Sequence, residues 1–511
     1  MSKKKPKKRN RKKSNNSTLE DHRLIGKKLL PPMLHRMPED KMTFSSWIDD
    51  HLPEMLWACL VISTLERGEA LAIFLKIAED ISKAAKGISE EISIDLTHSV
   101  LPTAPIDAIQ IIVKNLKTHP LGIKAIRPVL FFVELPGHSR WKELIESDAT
   151  QEDAVTLFET AKKCLDHQSQ ESTDVRWLKL MTMVGLGKIH LPVSMIENFV
   201  RYAKLDPSHD DMRFIRPSIR AGEMAFRMSA DGAEKKTDWS SIFWKSCLER
   251  TECINGSSES LALEEDEIDY LSLKENWHDC HMMLTQHFFA NTQTSGIDAK
   301  IEGAFGLAFY SGALFLEMLH GINRHGITGR LLLRSLVECK ITLSYLFFRN
   351  DESLWKKYRE HGVGQAKLAL LKFDNAASPP TFLNEKSLTL IANDDLFEEF
   401  VAVDIGSWAG SDLRKMSEIS GTKAEYDNFY GWSSSFSHGS WSAVRDACFE
   451  ICLNPLHRNH KIPIEIHRKL ESTVNDAVAL LNNIYSSIDQ VYPGFSNRLE
   501  IRLRGQEADA P

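Results

Sequence analysis

From about residue 265 onward, the chain consists of long segments in which apolar residues recur three and four positions apart. This spacing places them on one face of an α-helix, whereas a half-buried strand would alternate at every second residue. Short polar links separate the segments, and long helices with short links are typical of a helical bundle. The predicted helices are Glu265–Ala290, Ile301–Ile322, Thr328–Phe348, Ser353–Phe373, Lys423–Phe436, Ser440–Leu453 and Pro463–Tyr485.

The N-terminal half shows shorter helical patterns divided by prolines. Ser45 or Ser46 can cap a helix that continues to Leu65, with Pro53 as the alternative start. No segment alternates for long enough to predict a strand. We therefore predict an all-α protein, with an N-terminal multi-helix domain packed on the C-terminal helical bundle; a helical repeat is the alternative for the N-terminal half. Its predicted helices are Glu69–Ala85, Asp107–Leu116, Thr150–Asp166, Ser194–Ala203 and Arg220–Met228.

A polar, acidic stretch, Gly232–Glu265, indicates the domain boundary, which we place near residue 255. The predicted organisation is a disordered basic tail over residues 1–19, a helical domain over 20–255, a helical bundle over 256–495 and a frayed tail over 496–511.

Charge is distributed very unevenly along the chain. The segment 3–13 holds nine basic residues and no acid, which leaves 54 basic against 70 acidic residues elsewhere, a net charge of −16. An acidic body does not favour broad nucleic-acid binding, but a basic tail does. We predict that the tail binds RNA or another polyanion; the alternative is a solubilising extension without a partner. The basic residues are Lys3, Lys4, Lys5, Lys7, Lys8, Arg9, Arg11, Lys12 and Lys13.

Several features favour a cytoplasmic protein without a membrane span. The N-terminus is basic and is not followed by the apolar segment of a secretory signal. The apolar stretch Ala304–Leu316 is too short to span a bilayer, and Gly329–Phe348 carries four charged residues. The eight cysteines are scattered, as expected in a reducing compartment.

Common cofactor and metal motifs are missing. The sequence from Gly185 to Lys188 resembles part of a phosphate-binding loop, but Thr182 replaces its first glycine and Ile189 replaces its magnesium-binding hydroxyl residue. There is no dinucleotide fingerprint, His-Glu-x-x-His motif or Cys-x-x-Cys pair. We predict no cofactor.

Four residues near the C-terminus have side chains that zinc prefers: Cys448, Cys452, His457 and His460. Two thiols one helical turn apart precede two histidines, but the gap between the pairs is much shorter than in ordinary zinc modules. The neighbouring Phe449 and Ile451 indicate burial in an apolar environment. We therefore predict no metal site.

Two motifs in the C-terminal half resemble a known family. They are GRLLLRSLVECKITLSYL at residues 329–346 and YDNFYGWSSSFSHGS at residues 426–440. The first is similar to the Arg-Ser-x-x-Glu helix of the bacterial domain-of-unknown-function 5677 family, and the second to its Tyr-x-x-x-Ser…His-x-Ser segment. The resemblance covers about residues 270–490 and implies no established activity. By analogy, the helical character also resembles HEPN defence and toxin proteins.

The HEPN analogy lacks its usual ribonuclease signature. None of the 19 histidines follows an arginine by five to seven positions, and Arg445 comes seven residues after His438, in the reverse order. A ribonuclease site would therefore be absent or assembled from separate helices.

The motif residues provide the candidate site. Arg334 and Glu338 lie four apart on an apolar helix, either as a buried structural ion pair or as an anion clamp. His438, at the predicted end of an aromatic helix, either interacts with that helix end or acts as an acid–base group. We predict that Arg334, Glu338, Tyr430 and His438 converge as catalytic residues. The expected ligand-binding residues are Ser437, Ser440 and Arg445.

The tryptophan and phenylalanine residues of 429–441 are expected in the core rather than in a base-stacking surface. The function favoured by these features is a bacterial cytoplasmic defence or toxin-type protein that acts on or senses nucleic acid or nucleotides. The alternative is a non-catalytic helical scaffold that binds another protein, and exposed apolar helices would favour a homodimer.

Overall fold

The computed structural model describes residues 23–26, 28–30, 46–86, 95–188, 193–229, 238–255, 267–321, 323–375, 380–394, 406–464 and 470–504. The predicted tail of residues 1–19 lies outside these ranges. By its internal contacts the chain divides into two compact units. The first unit comprises the residues up to 255 together with 451–460, and the second comprises 256–450 and the residues from 461 onward.

The prediction of an all-α protein is confirmed. In the first unit the α-helices are α1 (Leu52–Glu54), α2 (Leu56–Thr64), α3 (Arg67–Ala85), α4 (Ala108–Leu116), α5 (Gly122–Ile126), α6 (His138–Ile145), α7 (Gln151–Cys164), α8 (Gln170–Gly185), α9 (Val193–Tyr202), α10 (Met212–Ser229) and α11 (Asp238–Arg250). A π-turn at Trp47–His51 and 3-10 turns at Leu101–Thr103, Arg127–Phe131 and Pro455–His457 join them. The strands β1 (Arg23–Ile25) and β2 (Lys28–Leu30) form an antiparallel hairpin.

Pro53 explains how the first predicted helix begins. Ser46 caps the π-turn by accepting a hydrogen bond from the Asp49 backbone N–H, and Pro53 lies at the start of the short helix α1. Helix α2 follows and is buried from Leu56 to Ile62, so it forms the centre of this unit. Burying so many large apolar side chains supplies the main stabilisation of the unit.

The second unit contains α12 (Tyr270–Asn291), α13 (Ala299–Leu319), α14 (Gly326–Arg349), α15 (Glu352–Asp374), α16 (Glu385–Ala392), α17 (Leu413–Ser420), α18 (Lys423–Glu425), α19 (Gly431–Ser437), α20 (Trp441–Cys448) and α21 (Val474–Val491). A π-turn, Tyr426–Tyr430, joins α18 to α19. Helix α14 packs against α13, α17, α19 and α21, which places it at the centre of the bundle. Two further short strands, β3 (Phe449–Ile451) and β4 (Lys461–Pro463), pair with each other.

The predicted helix Arg220–Met228 is longer, Met212–Ser229, and Lys423–Phe436 is interrupted by the π-turn. Two further predicted helices are shortened by strands. The helix expected over Ser440–Leu453 ends at Cys448, because the chain becomes extended and forms β3. The helix expected from Pro463 starts only at Val474, because Pro463 belongs to strand β4. Pairing between the two strands therefore overrides the local helical pattern.

No helix in the described part of the chain is long and apolar enough to cross a membrane.

Candidate functional site

Helix α14 carries a line of polar residues on an otherwise apolar surface. Its other faces bury Leu336, Val337 and Ile341 completely, so the helix is fixed from several sides. Arg330, Arg334 and Glu338 follow one another at intervals of four residues and therefore lie on one side of the helix. This line faces the segment that contains the π-turn and α19.

Arg334 links α14 to the π-turn. One of its terminal nitrogens, Nη2, lies 3.0 Å from Glu338 Oε1 and donates a hydrogen bond of 3.0 Å to Tyr430 Oη. The guanidinium carbon lies 5.0 Å from the centre of the Tyr430 ring. The Nε atom of Arg334 is buried and has no partner among the described residues. Since a guanidinium has five N–H donors, these contacts leave donors available for an anion.

The π-turn presents Tyr430 to this arginine. The rings of Tyr426 and Tyr430 stack with their centres 4.9 Å apart and their planes 20° apart. Ser433, one turn further on, donates a hydrogen bond of 2.6 Å to the Phe429 carbonyl. A π-turn re-aims the side chains that follow it and is frequently found at functional sites. Here Tyr430 contacts both Tyr426, within the turn, and Arg334 on α14.

Arg330 is buried and has a structural role, so it is not accessible to a ligand. Its side chain is almost completely buried and donates a 2.7 Å hydrogen bond to the Glu471 carbonyl. Burial lowers the pKa of Arg330, although the nearby Glu471 and Asp446 act against this shift. Arg330 therefore fixes the start of α14 against the segment that precedes α21.

The structure brings together three of the four predicted catalytic residues. Arg334 contacts both Glu338 and Tyr430, but His438 lies eight residues beyond Tyr430, about 12 Å along a helix. His438 is exposed, and no described contact joins it to Arg334. The geometry therefore offers an arginine–tyrosine–glutamate cluster with the histidine at a separate position.

The predicted ligand-binding residues lie around the turn between α19 and α20. Ser437 is exposed and donates its hydroxyl to the Ser434 carbonyl at 2.9 Å. Gly439 adopts a left-handed backbone with φ of 59°, and Ser440 is the N-cap residue of α20. Arg445 is half-buried on α20. His438 thus lies at an exposed corner formed by the end of one helix and the start of the next.

Two tryptophans beside this corner are not in the core. Trp432 is 55% exposed and Trp441 is 65% exposed, whereas Phe436 between them is buried. The expectation of a core position for the aromatic residues of 429–441 is therefore wrong for both tryptophans. Sequence spacing missed them because α19 and α20 are too short to show which of their faces is covered.

The two motifs lie within one matched segment. Residues 318–450 match the family of unknown function DUF5677. The resemblance inferred from the motifs is confirmed over this segment, which is narrower than the expected 270–490. No curated protein and no solved structure is significantly similar to the chain. The DUF5677 match gives no support to the HEPN analogy, since the family has no described function.

Proposed function

We propose that the DUF5677 segment binds a ligand that contains both a nucleobase and a phosphate, namely a nucleotide or single-stranded nucleic acid. The observation that carries this proposal is the exposure of Trp432 and Trp441, which flank the exposed His438 in the sequence. An exposed tryptophan ring can stack on a base of any sequence, because every base has a π-face.

Arg334 is the proposed phosphate contact. Its guanidinium is oriented by Glu338 and Tyr430, and the side chain is 21% exposed. A planar guanidinium with a fixed orientation is well suited to phosphate, which accepts paired hydrogen bonds. His438 is proposed as a second polar contact at the corner between α19 and α20. A defence or toxin role stays a prediction from the sequence.

The test is a titration of fluorescently labelled single-stranded RNA and DNA, followed by fluorescence anisotropy, with unlabelled nucleotides as competitors. The double variant Trp432→Ala/Trp441→Ala should bind roughly tenfold or more weakly, because each base–aromatic stack contributes about 1–3 kcal/mol. Arg334→Lys keeps the charge but removes the planar fork, and it should also weaken binding.

The matched control is Phe382→Ala, which removes an aromatic ring that is 83% exposed elsewhere in the second unit. It should bind like the wild type. Each protein is also prepared without residues 1–19, so that binding by the basic tail is separated from binding by the segment. Equal dissociation constants for the double variant and the wild type would contradict the proposal.

A protein-binding function is the second candidate, because several apolar side chains on the surface of the second unit are exposed. Leu271 is 70% exposed on α12, Phe289 is 68% exposed on the same helix, and Tyr310 is 57% exposed on α13. A helical face of this kind is suited to another helix or to a second copy of the chain. Sedimentation velocity over a range of concentrations tests the homodimer: a dimer that Phe289→Ala weakens would favour this candidate, and a monomer at every concentration would remove it.

A further inference from the structure

Four side chains with metal-binding atoms converge in the first unit. Cys253 follows helix α11, while Cys452, His457 and His460 lie in the segment 451–460. One ligand atom from each residue lies within 4.8 Å of the others. Cys452 and His457 are buried, His460 is half-buried, and Cys253 is exposed. Two thiols and two imidazoles form the ligand set of many structural zinc sites.

The distances between these atoms fit a tetrahedral metal site. Cys253 Sγ lies 3.3 Å from His460 Nε2 and 3.6 Å from His457 Nδ1. Cys452 Sγ lies 3.4 Å from the same Nδ1 atom. With Zn–S bonds of about 2.3 Å and Zn–N bonds of about 2.0–2.1 Å, neighbouring sulfur and nitrogen ligands of a tetrahedral zinc are about 3.5 Å apart.

The hydrogen bonds around Thr251 fix the proton of His457 on the side away from the thiols. The Thr251 hydroxyl donates to the Cys247 carbonyl at 2.8 Å, and it accepts a hydrogen bond of 3.0 Å from the Asn454 side-chain amide. Because its only proton is already donated, Thr251 acts as acceptor towards His457 Nε2, which lies 2.9 Å away. His457 Nε2 therefore carries the proton, and the Nδ1 lone pair points towards the two sulfurs.

The backbone holds the segment 451–460 in the conformation that the site needs. The Cys452 N–H donates to the His460 carbonyl at 2.9 Å, which closes the segment on itself. The Leu453 N–H donates to the Ile254 carbonyl at 2.7 Å, next to Cys253. The Asn454 amide also donates to the Glu252 carbonyl at 2.8 Å. The backbone at the ligand residues is thus held by hydrogen bonds that do not involve the four metal-binding atoms.

We propose that Cys253, Cys452, His457 and His460 bind one zinc ion, which fastens the segment 451–460 to the end of helix α11. All four coordination positions are filled by protein, so the site is structural and leaves no position open for a substrate. The proposal departs from the sequence prediction of no metal site. Cys448, which the sequence analysis considered beside Cys452, His457 and His460, is exposed and does not belong to this group. The zinc closes a loop of nearly 200 residues between Cys253 and Cys452, and it therefore stabilises the folded first unit.

The first experiment measures zinc in the full-length protein without a polyhistidine tag, by inductively coupled plasma mass spectrometry. The wild type should contain about one equivalent of zinc per chain, and Cys253→Ser should contain less than roughly a tenth, since closed sites hold metal tightly. Cys448→Ser is the matched control, because Cys253 and Cys448 are both exposed, and it should keep its zinc.

A second experiment on the wild type does not depend on the folding of a variant. Removing zinc with EDTA should lower Tm, and adding zinc should restore it. Replacement by Co²⁺ should give the intense visible bands of a tetrahedral ion with thiolate ligands. A wild-type protein that holds less than roughly a tenth of an equivalent and whose Tm does not respond to added zinc would overturn the proposal. A disulfide between Cys253 and Cys452, detected by mass spectrometry of alkylated peptides, would overturn it as well.

Discussion

His98 is a histidine without a polar partner for its ring in the interior of the first unit. Its side chain is completely buried between Trp141 and Trp239, with ring centres 5.6 Å and 6.2 Å away. Neither ring nitrogen has a hydrogen-bond partner among the described residues. Desolvation lowers the pKa of His98 to about 3, since a buried imidazolium would lack both water and a counter-ion.

This burial predicts that acid destabilises the first unit through His98. In the unfolded chain the imidazole has a pKa near 6.5, so between about pH 6.5 and pH 3 the unfolded state binds a proton that the folded state does not. The free energy of unfolding is therefore not reduced by His98 above pH 6.5, the pKa of its imidazole in the unfolded chain. It falls as the pH decreases below that value. His98→Phe should remove this acid-induced loss of stability, which amounts to at most roughly 3 kcal/mol between pH 6.5 and pH 4.

Urea unfolding of the wild type and His98→Phe at a series of pH values measures the difference. At pH 7 the variant should be about as stable as the wild type, because it replaces a buried polar ring that lacks partners by an apolar one. Its advantage should then grow steadily as the pH falls. If the two stability curves stay parallel down to pH 4, the imidazole of His98 is not held neutral by burial.

At Arg334, sequence spacing predicts which residues share a face of the helix but not which residues cover that face. The pattern around Arg334 and Glu338 predicts one polar side of an apolar helix, and the structure places both residues in contact there. Their side chains are 21% and 36% exposed, so the pair is not fully buried. Periodicity shows which residues share a face, but the cover over that face comes from elements about 90 residues away. Removing one partner of a partly exposed pair costs less stability than removing one partner of a buried pair.

At the scale of the element, helix α13 depends on one close contact. A Cβ atom at Gly303 would lie 2.9 Å from Cε3 and 3.0 Å from Cζ3 of Trp355, whose ring is completely buried on α15. Gly306, in the same helix, is exposed, and a Cβ atom there would meet nothing within 4 Å. Gly303 therefore allows α13 and α15 to approach closely, whereas Gly306 has no such packing role.

The two glycines should respond to alanine with opposite signs. Gly306→Ala should stabilise the protein by up to about 1 kcal/mol, because alanine favours the helical backbone. Gly303→Ala gains the same propensity but forces Trp355 or the helix to move, and overpacking of this kind usually destabilises by about 1–3 kcal/mol. Differential scanning fluorimetry and urea unfolding of both variants provide the measurement. Stabilisation by both substitutions would show that Trp355 or the two helices shift at little cost to accept the methyl group, and would contradict the prediction.

The extent of the helices shows how far local sequence determines this fold. The helix predicted over Thr328–Phe348 is observed as Gly326–Arg349. A helical spacing of apolar residues over this length fits a helix and does not fit a strand. Ser440–Leu453 fails as a single helix because its residues 449–451 form a strand that pairs with Lys461–Pro463, which begins ten residues later. Cys253 was missed for a related reason: its proposed partners lie about 200 residues away, and no local pattern links them.

On the scale of the whole molecule, the main electrostatic feature is the contrast between the tail and the remainder of the chain. Nine basic residues lie within residues 3–13, while the remaining residues carry a net charge of −16. On these charges, polyanions should be attracted to the tail and repelled by most of the chain. Their binding to the tail should therefore be independent of sequence and depend strongly on salt.

Deleting residues 1–19 should abolish this salt-dependent binding and leave Tm unchanged. For single-stranded RNA, neutralising up to nine phosphates gives a slope of log K against log salt concentration of at most about −6. Stacking on Trp432 and Trp441 involves little counter-ion release, so binding by the DUF5677 segment should depend less on salt. The comparison uses the full chain, the deleted chain and Trp432→Ala/Trp441→Ala at several salt concentrations.

The deletion should remove the binding that depends steeply on salt, and the tryptophan substitutions should remove the binding that depends weakly on salt. RNA binding that stays equally steep in the deleted chain would place the electrostatic site outside the tail and refute this assignment.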